Sequence, residues 1–299
     1  MHIPVLLKET IDGLSLEKGD IYLDATLGGG GHAEEAWKRM GNSVEILGID
    51  LDETALEIAR NRLEMAGCKP HLALQSFRNI DKAVETIGMG NPSKIVFDLG
   101  WNSMQVEEGE RGFSFQKDEP LLMTFSKDEN PEVTTAHDIV NFWQEENIAD
   151  IIYAYGEENF SRRIARKIVE EREKGEIKSS LQLAEIIKGA VPIFYRFGRI
   201  HPATKTFQAL RIAVNDELQA LKEGLEKAFM VLKKGGRIAV ISFHSLEDRI
   251  VKNFFKELEE KGEAEYPLAT GKKPITPTEE EIEKNRKSRS AKLRVIKKN

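Results

Sequence analysis

A short apolar segment that passes through four consecutive glycines into a helix constrains the fold of this chain more than any other feature. Ile21-Tyr22-Leu23 predicts a buried strand, Gly28 to Gly31 follow, and a helix is predicted from Ala33. Glycines between a strand and a helix let a ligand approach the backbone N–H groups closely, because no Cβ stands in the way. Taken alone, this pattern also fits an ordinary tight turn.

A second apolar strand turns the glycine loop into a candidate cofactor site. Val44 to Ile49 leads into Asp50, about 20 residues beyond the loop, where a βαβ unit places its ribose-binding carboxylate. An acid, Asp24, precedes the loop, and the loop carries no basic residue. An anionic pyrophosphate would gain little from that acid, whereas a cationic sulfonium and ammonium would gain more. The loop therefore favours a cationic cofactor over a nicotinamide dinucleotide, and its acid-x-x-x-Gly-Gly-Gly-Gly pattern followed by Gly48-Ile49-Asp50 resembles the S-adenosylmethionine site of Rossmann-like methyltransferases.

Further strands are predicted at 71–74, 93–97 and 237–241, with a last one inside the basic stretch 286–298. Ligands of open α/β sheets bind at the carboxyl ends of the strands, where Phe77 and Asp98 follow the third and fourth strands. Burying Asp98 there without a partner is costly, which favours a functional role. Position alone leaves Phe77 equally a core aromatic or a platform for adenine.

The strand–helix alternation stops between about 107 and 199, where helical patterns dominate. The fold class is therefore α/β, a Rossmann-like sheet (residues 1–106 and 200–299) with a helical insertion (107–199). One predicted helix of the insertion has a basic face, formed by Arg162, Arg163 and Arg166. The stretch from Tyr195 to His201 interleaves basic and aromatic residues, a pattern that suits phosphate contacts and base stacking.

Composition narrows the class of protein. The 299 residues carry a net charge of −6, so any nucleic-acid contact requires local basic faces. A single cysteine, Cys68, excludes an internal disulfide and a cysteine-built zinc site. The six histidines lack metal-ligand spacing, and we expect no metal. No apolar run reaches the length of a membrane span and no signal peptide opens the chain, so we expect a cytoplasmic protein without membrane contact.

Motifs along nearly the whole chain resemble the MraW/RsmH family, bacterial methyltransferases acting on N4 of a cytosine in the decoding centre of small-subunit ribosomal RNA. The matching stretches are His2-x-Pro4-Val5-Leu6-Leu7, Asp24-Ala-Thr-Leu-Gly-Gly-Gly-Gly-His32, Asp98-Leu-Gly100, Glu110-Arg-Gly-Phe-Ser-Phe115, the segment His201 to Ile212 and the segment Ile241 to Val251. The resemblance implies a class I methyltransferase sheet, S-adenosyl-L-methionine as methyl donor, and an inserted helical domain that recognises the substrate. It places cofactor contacts at Gly30, Gly31, His32, Asp50, Phe77, Asp98 and Gln105.

The sequence departs from the family pattern at two places, Trp101-Asn102-Ser103 and Leu122 to Ser126. The departures leave the cofactor contacts intact and bear on the substrate side of the pocket. Two alternatives therefore stay open beside an RNA cytosine-N4 methyltransferase. One is a DNA or protein amino-methyltransferase, and the other is a ribosome-assembly factor that has kept the fold and lost the chemistry.

The candidate catalytic residue is Asp98. Methylation at C5 of a pyrimidine requires a covalent nucleophile, and Cys68 is expected at the opposite edge of the sheet. Methylation of an exocyclic amine needs no covalent step. A carboxylate that accepts one N–H bond of the amine frees the nitrogen lone pair for in-line attack.

Overall fold

The computed structural model describes residues 4–100, 110–125, 133–198 and 200–299. The chain divides into two compact units, one formed by Met1–Gly100 with Leu218–Asn299 and the other by Trp101–Glu217. The first unit holds a seven-stranded sheet in the order β3-β2-β1-β4-β5-β7-β6. Its strands are β1 (Ile21–Asp24), β2 (Glu45–Asp50), β3 (His71–Leu74), β4 (Lys94–Leu99), β5 (Arg237–Ser242), β6 (Ala264–Glu265) and β7 (Lys292–Lys298).

The helices follow the division into units. Before the insertion lie α1 (Leu7–Leu14), α2 (Gly31–Met40), α3 (Glu53–Met65) and α4 (Ile80–Ile87). The second unit holds α5 (Ala136–Phe142), α6 (Glu145–Gly156), α7 (Ser161–Arg172), α8 (Ser180–Ala190), α9 (Ile193–Arg196) and α10 (Thr204–Asn215). The chain continues with α11 (Glu217–Val231), α12 (Ser245–Glu260) and α13 (Glu279–Lys284).

Strands β1 to β5 pair in parallel, whereas β7 runs antiparallel between β5 and β6. This arrangement confirms the predicted Rossmann-like class I methyltransferase sheet. The central parallel strands are apolar runs rather than alternating ones, because helices cover both faces of the sheet. Their carboxyl ends form one edge, and β1, β2 and β4 are neighbours there.

Successive residues of each strand enter two different apolar clusters, because side chains alternate across a strand. Leu23, Phe97 and Val240 pack with residues of α4, α11 and α12. Tyr22 and Val96 face the other way and pack with α1, α2 and α3. The sheet therefore has a hydrophobic layer on each side, and both layers fix the strand ends that carry the site.

The second unit is helical with its own core, which includes Ile139, Ile152, Ile164 and Leu183. The sequence predicts an insertion over 107–199, but residues 204–215 belong to this unit as well. Helix α10 packs closely on α6, since a Cβ at Gly156 would lie 2.6 Å from the carbonyl oxygen of Lys205. The predicted boundary at 106/107 lies outside the described residues.

Two local predictions need correction. Ser245 followed by Asp248 three residues later predicts Ser245 as the N-cap of a capping box, but the N-cap of α12 is His244, whose ring accepts from Glu247 N. The sequence predicts loop over 257–284 around a strand at 266–269, whereas α12 runs to Glu260, the strand is at 264–265 and α13 begins at Glu279. These helix ends cannot be recognised in the sequence, because their exposed turns are charged and show no apolar periodicity.

Candidate active site

The glycine loop forms a tight passage between β1 and α2. Gly28 and Gly30 have φ values of 49° and 74°, in the left-handed region that favours glycine. The guanidinium of Arg62 on α3 donates to the carbonyl oxygen of Gly29 at 2.8 Å. This anchor, which the sequence analysis missed, holds the loop so that its backbone stays open towards a ligand. Gly31 begins α2, as the strand–glycine–helix pattern predicted within two residues.

Asp50 ends β2 and orders the loop from the neighbouring strand. One carboxylate oxygen accepts the backbone N–H of Gly28 at 2.8 Å, and the other accepts that of Asp52 at 2.9 Å. Burial raises the pKa of this carboxyl above its usual range, while the two backbone hydrogen bonds oppose the shift. A carboxylate in this position is an acceptor that suits the hydroxyls of a ribose diol.

Asp24 ends β1 and is fully buried beside Tyr22 and Thr26. The Tyr22 hydroxyl donates to Asp24 Oδ2 at 3.3 Å, and the backbone N–H of Thr26 donates to Asp24 Oδ1 at 3.2 Å. Burial, assisted by the nearby Asp50 charge, raises the pKa of Asp24 to about 7. The sequence predicts Tyr22 only as a strand residue, because a hydrogen bond between its hydroxyl and Asp24 cannot be read from residue type and spacing.

Asp98 lies near the end of β4, and its backbone N–H donates to Thr26 Oγ1 at 2.6 Å. Its Oδ1 atom is buried and has no hydrogen-bond partner among the described residues. Burial, the charge of Asp24 and the charge of Glu247 together raise the pKa of Asp98 to about 8. The structure thus brings Asp24, Asp50 and Asp98 to the ends of three adjacent strands, as the sequence predicted for Asp50 and Asp98.

These carboxylates fit a cationic ligand. Each is costly to ionise where it is, because burial removes water and the neighbours carry the same charge. A sulfonium or ammonium placed among them would remove both penalties. An anionic group would add to the repulsion, so the donor set supports S-adenosylmethionine over a pyrophosphate cofactor.

His32, in the first turn of α2, faces Asp98. Its Nδ1 atom is 3.8 Å from Asp98 Oδ2, and its Nε2 atom is 3.1 Å from the carbonyl oxygen of Val5. A carbonyl oxygen only accepts hydrogen bonds, so Nε2 carries a proton and Nδ1 is directed to Asp98. The predicted site residue therefore lies directly beside the candidate catalytic residue.

Phe77 packs against the edge of the core, and its contact with an adenine stays a prediction. It begins a short 3₁₀ helix after β3, and its ring meets that of Phe97 edge to face, with 5.8 Å between centroids. A Cβ at Gly224 would lie 2.8 Å from its ring, so α11 closes one side. The ring is only partly buried, and it stays available to an adenine. Gln105 and His2 lie outside the described residues.

In the second unit the predicted RNA-binding residues divide into two groups. Arg162, Arg163 and Arg166 are exposed on α7, whose opposite side is buried, as the basic amphipathic pattern predicted. In contrast, the Tyr195 hydroxyl donates to Glu158, and Arg196 donates to the carbonyl oxygens of Val191 and Gly189. Those two side chains serve the fold, whereas the rings of Phe194 and Phe197 are 75% and 85% exposed.

The basic C-terminal stretch is likewise divided. Arg294 and Lys292 both donate to Asp248 at the start of α12, at 2.7 and 3.0 Å. Lys298 donates to carbonyl oxygens near the end of α11, including that of Leu232 at 3.0 Å. These cations of β7 therefore hold the sheet to its helices, and exposed ones precede the strand at Arg286, Lys287 and Arg289.

Local packing bears on two further predictions. Cys68 is 2% exposed, and burial together with Glu45, the first residue of β2, raises its pKa to about 11. It therefore lies at the amino edge of the sheet, away from Asp98, as expected.

In the second departure from the family pattern, Met123 is buried and its carbonyl oxygen accepts from Asn215 at 2.7 Å. Trp101, Asn102, Ser103 and Ser126 lie outside the described residues.

Known proteins resemble this chain over nearly its whole length. A family model described as the MraW methylase family matches residues 1–299. A protein of Carboxydothermus hydrogenoformans named ribosomal RNA small subunit methyltransferase H is 48% identical, with 99% of this chain and 97% of that protein covered. One of the same name from Sulfurihydrogenibium sp. is 45% identical, with 98% of each covered.

Among solved structures, a Streptococcus mutans protein described as a putative methyltransferase in complex with SAH matches 100% of both chains, at 16% identity and a TM-score of 0.47. No helix in the described part of this chain has the length and apolar character needed to cross a membrane.

Proposed function

Because the chain belongs to the MraW methylase family, we propose that it methylates the N4 amine of a cytosine in the decoding centre of small-subunit ribosomal RNA. S-adenosylmethionine is the methyl donor of this family. The names of the relatives support the RNA substrate. The observation that carries the proposal is the buried Oδ1 of Asp98, which has no hydrogen-bond partner among the described residues and lies at the acid-lined end of the sheet.

Different residues of the first unit bind different parts of the cofactor. Asp50 accepts the ribose hydroxyls, and Phe77 lies against the adenine. The glycine loop at Gly30 and Gly31 gives close backbone access, while Asp24 and Asp98 face the cationic end. When bound, S-adenosylmethionine supplies an electrophilic methyl group.

Asp98 acts on the nucleophile. The cytosine amine is a poor nucleophile because its lone pair is delocalised into the ring. The ionised Asp98 carboxylate accepts one N–H of that amine, which draws the nitrogen towards a tetrahedral shape and frees the lone pair. The nitrogen–methyl bond forms as the carbon–sulfur bond breaks, and the departing proton leaves through Asp98. The ring of His32, with Nδ1 3.8 Å from Oδ2, packs beside the carboxylate and restricts its orientation by contact.

The position of Cys68 supports methylation of nitrogen over carbon. A C5 methyltransferase needs a thiolate at the ring, and this buried thiol with its raised pKa lies at the other edge of the sheet.

The proposal is tested with purified protein and S-adenosylmethionine carrying a labelled methyl group. The acceptors are small ribosomal subunits, naked small-subunit RNA and duplex DNA, and modified nucleosides are identified by mass spectrometry. We expect N4-methylcytidine in RNA with wild type and with Cys68→Ser, and none with Asp98→Ala. Formation of 5-methylcytidine, or loss of activity in Cys68→Ser, would overturn the mechanism. Transfer to DNA alone, or cofactor binding without transfer to any acceptor, would favour one of the two alternative functions.

A further inference from the structure

The residues Pro4, Val5 and Leu6, here called the arm, cross the start of α2. Leu6 has a φ of 49° and a ψ of 37°, a left-handed conformation that non-glycine residues seldom adopt. The side chain of Leu6 is fully buried, so it is part of the core in this conformation. Something outside the arm must hold this conformation, since it is not a local preference of leucine.

The holding contact comes from the far end of the sequence. The backbone N–H of Leu6 donates to Glu281 Oε1 at 2.7 Å, across 275 positions of the chain. Glu281 lies on α13, whose N-cap is Thr278. A hydrogen bond to an ionised acceptor is among the stronger kinds, so this contact is able to fix an unfavourable backbone conformation.

The arm in turn touches the site at two points. A Cβ on Gly31 would lie 2.3 Å from Pro4 Cγ, so the arm lies directly on the first turn of α2. The carbonyl oxygen of Val5 is 3.1 Å from Nε2 of His32, and Nδ1 of the same ring is 3.8 Å from Asp98. An unbroken series of contacts therefore runs from Glu281 through the arm and His32 to Asp98.

We propose that Glu281 is a positioning residue for methyl transfer: its carboxylate holds the arm so that the Val5 carbonyl fixes the His32 ring against Asp98. The inference rests on the proposed function for its turnover readout. It assigns a role in the site to the short C-terminal helix α13, which contains no residue of the site itself. Gly31 contributes to the same set of contacts, because any side chain at this position would displace Pro4.

The test uses three substitutions of Glu281 in the full-length protein. Glu281→Ala removes the acceptor, and Glu281→Asp keeps the charge but shortens the side chain by one methylene. Glu281→Gln keeps a carbonyl oxygen at the same reach and should rescue function. Glu283→Ala, an exposed glutamate on the same helix, is the matched control. The ¹⁵N signals of the His32 ring, assigned by their loss in His32→Asn, report the tautomer without any RNA present.

We expect Glu281→Ala and Glu281→Asp to lower kcat about tenfold, the loss of one charge-assisted hydrogen bond, with little change in KM for RNA. In both variants His32 should lose its single Nε2-protonated form, whereas Glu281→Gln and Glu283→Ala should keep it. If Glu281→Ala does not fold, Glu281→Asp carries the test. A wild-type His32 spectrum and wild-type kcat in Glu281→Asp, or equal losses in Glu281→Gln and Glu281→Asp, would overturn the proposal. If wild type itself transfers no methyl group to RNA, the proposed function fails, while the His32 spectra still decide whether Glu281 fixes the ring.

Discussion

Single carboxyl groups determine the chemistry of this site. Asp24 and Asp98 end neighbouring strands and are each kept partly protonated near neutral pH by burial and by the charge of nearby carboxylates. Such an arrangement is unfavourable for the empty protein and becomes favourable when a positive group enters. Under the proposed function, a bound cation beside Asp98 would lower the pKa of Asp98 and leave the carboxylate that the amine requires.

The first residue-scale prediction concerns Asp98 itself. Asp98→Asn keeps the shape of the side chain but cannot take a proton, so we expect turnover to fall about 10²- to 10⁴-fold. Because Asp98 is also proposed to face the cofactor, cofactor binding is measured separately by calorimetry. A turnover loss with cofactor affinity retained within a few fold would assign Asp98 to the chemical step. Full turnover in Asp98→Asn would remove Asp98 from catalysis.

The second concerns stability and pH. The folded-state pKa of Asp98, about 8, lies above its ordinary value of 3.8. Between these values the folded chain holds a proton that the unfolded chain has released, so this group's contribution to stability falls as the pH rises. Below the lower value the contribution is fully present, and above about 8 it is lost. Asp98→Asn should therefore gain unfolding free energy relative to wild type as pH increases, measured by urea denaturation between about pH 5 and pH 9. A difference that stays constant with pH would contradict the raised pKa.

The third residue-scale prediction concerns cofactor binding by Asp50. Its carboxylate both orders Gly28 and is proposed to accept the ribose hydroxyls. Asp50→Ala should weaken S-adenosylmethionine binding by roughly 10²-fold, the equivalent of one hydrogen bond to a charged group. Asp52→Asn keeps the side-chain acceptor that caps α3 and serves as the control. Calorimetry that finds wild-type affinity in Asp50→Ala would exclude Asp50 from the cofactor site.

At the scale of elements, α9 and the turn after it present two aromatic rings to the surface. Phe194 and Phe197 are largely exposed, whereas the adjacent Tyr195 is packed on Phe160 and bonded to Glu158. The alternation of basic and aromatic residues suggests stacking from the whole stretch. Within the predicted stretch, Tyr195 and Arg196 are engaged within the unit, so Phe197 remains the candidate for stacking. Phe194, which precedes the stretch, offers a second exposed ring that the sequence analysis did not include.

We therefore expect the double variant Phe194→Ala with Phe197→Ala to weaken binding of small-subunit RNA by at least about tenfold, since stacking of each base contributes about 1–3 kcal/mol. Phe142→Ala removes an equally exposed ring (69%) from α5 and should leave RNA binding unchanged. Fluorescence anisotropy with a labelled RNA fragment measures both. Equal losses in the two variants would indicate a general effect of removing exposed rings.

At the scale of the whole molecule, the charge balance sets how RNA is bound. The net charge is −6, so a uniformly acidic surface would repel phosphate. Exposed basic residues concentrate at Arg162, Arg163 and Arg166 on α7, and at Arg286, Lys287 and Arg289 before β7. RNA affinity should fall steeply with added salt, because each phosphate contact releases counterions. Arg162→Gln with Arg166→Gln should reduce the slope of log affinity against log salt by about two. A flat salt dependence in wild type would show that phosphate contacts do not hold the RNA.

Sequence periodicity predicted most of the sheet, since β1 to β5 are short apolar runs bounded by glycine, proline or charge, and such runs have few alternatives. The helical pattern from Glu53 to Ala66, with Asp52 in place to cap it, likewise predicts α3, and the Asp52 side chain does accept from Thr54 N. The predicted domain boundary at 199/200 assigns α10 to the sheet domain, because α10 follows the aromatic stretch in the chain. In the structure α10 belongs to the second unit. Its partner is α6, about fifty positions earlier, and the contact between them has no signal in local periodicity.

The sequence by itself determined the segments that form β1 to β5, the glycine loop, and the acids at or near the ends of β2 and β4, because each follows from residue type and spacing. Only the tertiary structure decided what surrounds those acids. Thr26 and Asp24 come from the end of β1 and Glu247 from α12, and their effects on Asp98 of β4 depend on distances that arise only when these segments pack together. The contact of Glu281 with Leu6 is of the same kind, since a hydrogen bond between the two ends of a chain exists only after the core has brought them together.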